Sequence, residues 1–266
     1  MSEAAVSMFD AGYFYRPNLW VLRHCEVRIA RGSVFALLGP NGRGKTTLLH
    51  LLVGALKPCE GGLVVSGRVA FVPQLFEMGF DYTALDMALM GRARKIGLFS
   101  QPSRADEEAA LAALDRFGMA NHAARPFHEL SGGQRQLVIF ARALVAEADI
   151  LILDEPTSAL DLENQALVLE RISSLARDDG LTIVMTTHHP HHALAVADEA
   201  LLMRGAGDYL CGLARDILSE QNLRSLYRAP LKRLAFEHEG HELETIAPVL
   251  TPRRAAEADR ACNAAV

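Results

Sequence analysis

Three groups of residues in this chain could do chemistry together: a lysine set among glycines, two adjacent carboxylates, and a histidine behind an apolar run. The lysine is Lys45, in Gly39-Pro40-Asn41-Gly42-Arg43-Gly44-Lys45-Thr46. This stretch fits G-x-x-x-x-G-K-[ST], the phosphate-binding loop. Glycines let consecutive backbone N–H groups converge on a phosphate without Cβ clashes, and a helix N-terminus adds partial positive charge. Lys45 is then placed to reach β- and γ-phosphates, and the Thr46 hydroxyl to ligate Mg²⁺. The carboxylates are Asp154 and Glu155, at the end of Asp149-Ile150-Leu151-Ile152-Leu153. Beside a nucleotide, Asp154 would hold Mg²⁺ through water and Glu155 would polarise a water for attack on the γ-phosphate. Without the phosphate loop the same pair would be a solvated strand exit. His188 stands at the C-terminal end of a further buried strand read from Leu181 and could hydrogen-bond a γ-phosphate or the attacking water. His188, His189, His191 and His192 do not read as a metal centre. Pro190 interrupts them, and no Cys or acid supplies matching ligand spacing.

Three further patterns have two readings each. Gln74 ends an apolar strand, where it is either a strand-end cap or a group reaching Mg²⁺ and the attacking water. In Leu130-Ser131-Gly132-Gly133-Gln134, Ser131 suits a helix N-cap, but paired glycines at a helix entrance cost backbone entropy. Either this is an ordinary Ser-Gly turn, or bare N–H groups, a hydroxyl and the helix dipole must approach an anion. Tyr13, Phe14 and Tyr15 either fill a core or edge, or present one ring for stacking on adenine.

These groups need elements to hold them. Ser33 to Leu38 reads as a strand and Thr47 to Val53 as a helix closed by Gly54, with the glycine loop between them. Residues 1–38 form a β-rich entry, and a short β segment covers Leu63–Val65 and Val69–Val72. From about Phe80 to Ala148 the periodicity turns helical, with starts near Ala84, Glu107 and Gln134. Ile150–Leu153 is a fully buried parallel strand whose C-terminal end is where open α/β sheets bind ligands. Asp161 turns the chain into a helix over Leu162–Ala176. A closing β pair (Ala200–Met203, Asp208–Cys211) and two short helices (Ala214–Leu218, Asn222–Leu226) follow. Beyond about Leu231 the pattern is mixed, and Thr251 to Val266 reads as a loosely held helix or disorder.

Composition narrows the class. At 266 residues the chain is one large domain or a domain with an insertion. Half its residues are apolar and 22% charged, the balance of a soluble globular protein. A net charge of −5 argues against a nucleic-acid partner, whose binding protein usually shows a basic face. Four scattered cysteines without C-x-x-C spacing read as reduced cytosolic thiols. Met1 to Asp10 lacks the basic start of a signal peptide, and no apolar run reaches membrane-helix length. A membrane role would therefore come through a partner.

In this order, Lys45, Gln74, Leu130–Gln134, Asp154-Glu155, Asp161 and His188 resemble the nucleotide-binding subunit of ATP-binding-cassette (ABC) transporters, over about residues 5 to 230. The resemblance implies an α/β ABC ATPase fold: a P-loop RecA-like core, an N-terminal antiparallel β subdomain and an inserted α-helical subdomain. The cassette would span 1–235, with the core about 1–79 and 148–235, the helical subdomain about 80–147, and a tail over 236–266. It also implies roles. Gly39, Pro40, Asn41, Gly42, Arg43, Gly44, Lys45, Thr46 and Thr47 would bind ATP phosphates, and Tyr15 would stack on adenine. Thr46, Gln74 and Asp154 would hold Mg²⁺, with Glu155 as general base, His188 as γ-phosphate sensor and Gln74 beside them. Ser131, Gly132, Gly133, Gln134 and Asp161 would close on the ATP of a second copy in a head-to-tail homodimer. His189 stands where the family commonly has an acid. The expected partners are two transmembrane permease subunits and an external substrate-binding protein, at the cytoplasmic face of the cell membrane. Phe71–Phe76, Leu89-Met90-Gly91-Arg92 and Pro156–Leu162 with Asn164-Gln165 are most similar to ATPases of metal-chelate importers and, more narrowly, of the molybdate and tungstate importer. A ferric-siderophore, haem or cobalamin importer is the alternative. An exporter ATPase, or a soluble ABC protein with two cassettes or a long coiled coil, fits less well.

Overall fold

The structure is a computed structural model and describes residues 3–74, 81–96, 100–158 and 160–250. The chain opens with two long strands, β1 (Ala4–Arg16) and β2 (Leu19–Ala30), joined at Asn18, whose φ is 66°. Then come β3 (Val34–Leu38), α1 (Lys45–Leu52), β4 (Glu60–Val65) and β5 (Val69–Val72). β1 pairs antiparallel with β2 on one side and β4 on the other. This small sheet buries Val6, Met8, Leu22, Val27 and Ile29 against the rest of the core.

Among the described residues three α-helices follow: α2 (Ala84–Leu89), α3 (Arg104–Arg116) and α4 (Gly132–Val145). Each begins with a reciprocal cap, Thr83 with Asp86, Ser103 with Asp106 and Ser131 with Gln134. Such a box satisfies two N–H groups that the helix leaves unpaired. Phe117 and Phe140 pack with ring centroids 5.6 Å apart between α3 and α4. Gly91 lies so close to α4 that a Cβ there would meet the Arg142 carbonyl oxygen at 2.2 Å.

The chain returns through β6 (Ile150–Leu153), α5 (Leu162–Arg177), β7 (Thr182–Thr187), α6 (Pro190–Val196), β8 (Glu199–Gly205) and β9 (Asp208–Leu213). One sheet of order β5-β6-β7-β3-β8-β9 results, parallel except for β9. Every residue of β3, β6 and β7 is buried because both faces are covered. Along β3, Val34, Ala36 and Leu38 join the core under the helices, whereas Phe35 and Leu37 join the core under the antiparallel sheet. That alternation comes from the two-residue period of a strand. The fold is the expected α/β core with an antiparallel β unit and a helical insertion.

Past α7 (Ala214–Ile217) and α8 (Glu220–Tyr227), the structure differs from the sequence expectation. Instead of a mixed segment there is an antiparallel hairpin, β10 (Leu231–His238) and β11 (His241–Pro248). Its two-residue turn, Glu239-Gly240, has φ of 51° and 79°, the twist that suits a tight hairpin. Leu231 and Ile246 are buried at its base, and the Arg233 guanidinium pairs with Glu244. The expected cassette boundary at 235 falls inside β10. The tail reading for Thr251–Val266 concerns residues outside those described.

Candidate active site

The apolar strand β3 runs directly into the glycine loop, which adopts left-handed backbone at Gly42 (φ 77°) and Gly44 (φ 90°). A Cβ at Gly44 would meet Val21 Cγ1 at 2.9 Å, so conformation and space both demand glycine there. Gly44 caps α1, and Lys45 begins it. The Lys45 ammonium folds back to donate to the carbonyls of Gly39 at 2.6 Å and Pro40 at 3.3 Å. Burial pushes its pKa down, while Glu155 and Asp154 pull it up.

A cleft of about 500 Å³ opens above the loop. Tyr15, Asn41, Gly42, Gly44, Lys45, Thr46, Thr47, Gln74, Asp154 and Glu155 all line it, together with Val21. Tyr15 is 60% exposed, makes an edge contact with Tyr13 at 5.1 Å between ring centroids, and shares a 3.2 Å hydrogen bond between its hydroxyl and Thr47 Oγ1. Of Tyr13, Phe14 and Tyr15, it is Tyr15 that lines the cleft.

The remaining groups arrive on the C-terminal ends of adjacent parallel strands. Gln74 follows β5, Asp154 and Glu155 follow β6, and His188 follows β7. Gln74 Nε2 donates to Glu155 Oε2 at 3.1 Å, and His188 Nδ1 lies 3.1 Å from the same oxygen. His188 thus reaches the cleft through Glu155. Gln74 Nε2 also lies 3.4 Å from Ser158 Oγ. The Glu155 backbone is left-handed, φ 48°, unusual for a residue other than glycine. Its N–H donates to Thr186 Oγ1 at 2.8 Å, and that hydroxyl donates to Asp154 Oδ1 at 2.7 Å. Thr186 went unnoticed in the sequence. Its signal is its place two positions before His188, since Thr182 and Thr187 in the same strand share its residue type.

Four imidazoles extend from this point. The rings of His188 and His189 lie 3.9 Å apart, His189 and His192 4.9 Å, and His191 and His192 4.3 Å. His192 is 5% exposed, and its Nδ1 shares a 3.1 Å hydrogen bond with Thr157 Oγ1. Burial first, then the neighbouring histidines, pushes its pKa down to about 4.

Other expected residues stand apart from the cleft lining. Ser131 and Gln134 are engaged in capping α4, with Ser131 and Gly132 exposed. Asp161 caps α5, accepting from the Asn164 N–H at 2.9 Å. Gly133 faces Leu160 and Asn164, so the two turns are neighbours. Arg43 is an exposed member of the loop that does not line the cleft, and Gly39 and Pro40 contribute their carbonyls to Lys45.

Comparison with known proteins gives a consistent answer. Residues 22–158 match the family described as ABC transporter. The molybdate import ATP-binding protein MolC of Haemophilus influenzae is 40% identical over 85% of this chain and 89% of its own length. A Helicobacter pylori protein named "Probable iron chelatin transport ATP-binding protein" is 31% identical over 80% of this chain and 89% of its own. Among solved structures, a transporter assigned to the metal-chelate ABC type, in an inward-facing conformation, superposes with a TM-score of 0.87. It is 37% identical and covers 93% of this chain and 98% of its own.

Proposed function

Since the chain belongs to the ABC transporter family, we propose that it is the ATP-hydrolysing subunit of an importer whose cargo is an oxyanion of the molybdate or tungstate kind. The observation that carries the cargo is the 40% identity to a molybdate import subunit over 85% of the chain. Similarity to the metal-chelate transporter and to the iron chelatin protein favours a second reading, import of a ferric chelate, haem or cobalamin.

In this reading the amides from Gly42 to Thr47 and the Lys45 ammonium bind the ATP phosphates, and Tyr15 stacks on adenine. Thr46, Gln74 and Asp154 offer oxygen donors only, the set a hard divalent cation takes. These residues would hold Mg²⁺, which when bound neutralises charge on the β- and γ-phosphates. Glu155 takes the proton of the attacking water. Gln74 and His188 both contact its Oε2 and so fix the carboxylate. His188 then senses the γ-phosphate. Ser131, Gly132, Gly133, Gln134 and Asp161 act on the nucleotide of a second copy. The exposure of Ser131, Gly132 and Asp161, and the absence of all five from the lining of their own chain's cleft, support that role. The assembly would join two copies, two permease subunits and a substrate-binding protein at the cytoplasmic face of the membrane. No helix among the described residues is long and apolar enough to cross a membrane.

Two experiments test this. Glu155→Gln should lower the ATPase rate by about 10²- to 10⁴-fold, the usual worth of general-base help, while MgATP still binds. With MgATP it should run as a dimer in light scattering, and Ser131→Arg should abolish that dimer. An unchanged ATPase rate would sink the assignment of Glu155. For cargo, membranes holding this subunit and its permease should take up molybdate or tungstate with the binding protein and ATP. Uptake of a ferric chelate or cobalamin without the oxyanion selects the second reading.

A further inference from the structure

One buried hydroxyl serves both acids of the site. In the parallel pairing of β6 with β7, Leu153 stands opposite Met185, which brings the next residues, Asp154 and Thr186, side by side. Thr186 is fully buried. Its Oγ1 donates to Asp154 Oδ1 at 2.7 Å and accepts the Glu155 N–H at 2.8 Å. β6 ends at Leu153, so the peptide carrying Glu155 lies beyond the strand, in left-handed backbone that few side chains adopt.

We infer that Thr186 is a positioning residue for hydrolysis: its hydroxyl orients the Asp154 carboxylate and pins the left-handed peptide that aims Glu155. The inference rests on the reading of Glu155 as general base. A hydroxyl can donate and accept at once, whereas a valine of nearly the same shape can do neither. With valine, Asp154 loses a donor and the Glu155 N–H loses its acceptor. Glu155 is then free to leave the φ of 48° that directs it. Chemistry should suffer more than nucleotide binding.

The test compares Thr186→Val, Thr186→Ser and Glu155→Gln in the full chain by ATP hydrolysis, nucleotide binding and thermal melting. Thr186→Val should lower kcat about 10- to 100-fold, as expected when a charge-assisted hydrogen bond that orients a reacting group is lost. KM for ATP, and affinity for ATP without Mg²⁺, should stay within about threefold, because the loss falls on the transition state. Thr186→Ser keeps the hydroxyl and should hydrolyse ATP within about threefold of the parent rate. Thr186→Val with the parent kcat overturns the inference. So does Thr186→Ser as slow as Thr186→Val, which would assign the role to methyl packing. Continued hydrolysis by Glu155→Gln would instead defeat the reading of Glu155, whatever Thr186 does. If Thr186→Val shows no folding transition, Thr186→Ala against Thr186→Ser makes the same comparison. A slow alanine and a fast serine support the role, and equal rates overturn it.

Discussion

Tyr15 and Lys45 illustrate how far single residues are legible. The glycine loop is a local pattern, so its lysine and glycines stand out in the sequence without a structure. Tyr15 could not be told from Tyr13 by residue type, because both lie in one strand. The pairing of β1 with β2 is irregular from Ala11 to Arg16, and Tyr15 lines the cleft where Tyr13 does not. Thr186 was hidden for a different reason: its partners, Asp154 and Glu155, lie more than thirty residues away and meet it only through strand register. Removing a stacking ring typically weakens binding by about 1–3 kcal/mol. Tyr15→Ala should therefore reduce ATP affinity by about 5- to 150-fold, measured by titration calorimetry. Tyr15→Phe, which gives up only the hydroxyl contact to Thr47, should lose less. An equal loss from Tyr13→Ala, with Tyr15→Ala silent, would move the stacking role to Tyr13.

Among the elements, α6 links the histidine end of β7 to the turn after β6 through His192 and Thr157. The pKa of His192 lies near 4 in the folded chain against about 6.5 ordinarily. The unfolded chain therefore takes up a proton between these values that the folded chain refuses. Stability should fall as pH drops below about 6.5 and stop falling from this source below about 4, a loss of up to about 3 kcal/mol. His189 and His191, also shifted downward by burial, act in the same direction. Denaturant melts at pH 7, 5 and 4 should show the decline, and His192→Gln should flatten part of it. An unaltered slope in that variant would place the proton uptake elsewhere. Elements themselves were unevenly legible. The buried strands β3 and β6 are continuous apolar runs, which is how doubly covered parallel strands read, whereas β7 is apolar only over Ile183–Met185. The hairpin of β10 and β11 is not of that kind. Most of its residues are exposed, so burial imposes no alternation, and only Glu239-Gly240 hints at the turn.

At the scale of the molecule, sheet order explains why distant motifs converge. The neighbours β5, β6, β7 and β3 each release one functional segment at the same edge. The helical unit from α2 to α4 is an enlarged crossover between β5 and β6, two strands that pair in parallel and so require a long connection. This architecture was legible as a change of period near residue 80. On the proposed reading the turn at Ser131 acts on the nucleotide of a second molecule, a role that a single chain does not display. Glu155 depends on its own chain in an unexpected way. A left-handed residue other than glycine costs about 1–3 kcal/mol, and glycine there would give back part of that through its looser unfolded state. Glu155→Gly should thus melt higher than Glu155→Gln, by about 1–4 °C for a chain of this size, and scanning calorimetry would show it. Equal melting temperatures would mean that the backbone at 155 is unstrained. Where the strain is present, a library screened only for survival of heating would tend to discard Glu155. Selection for growth would keep it, so the position records which of the two pressures shaped the sequence.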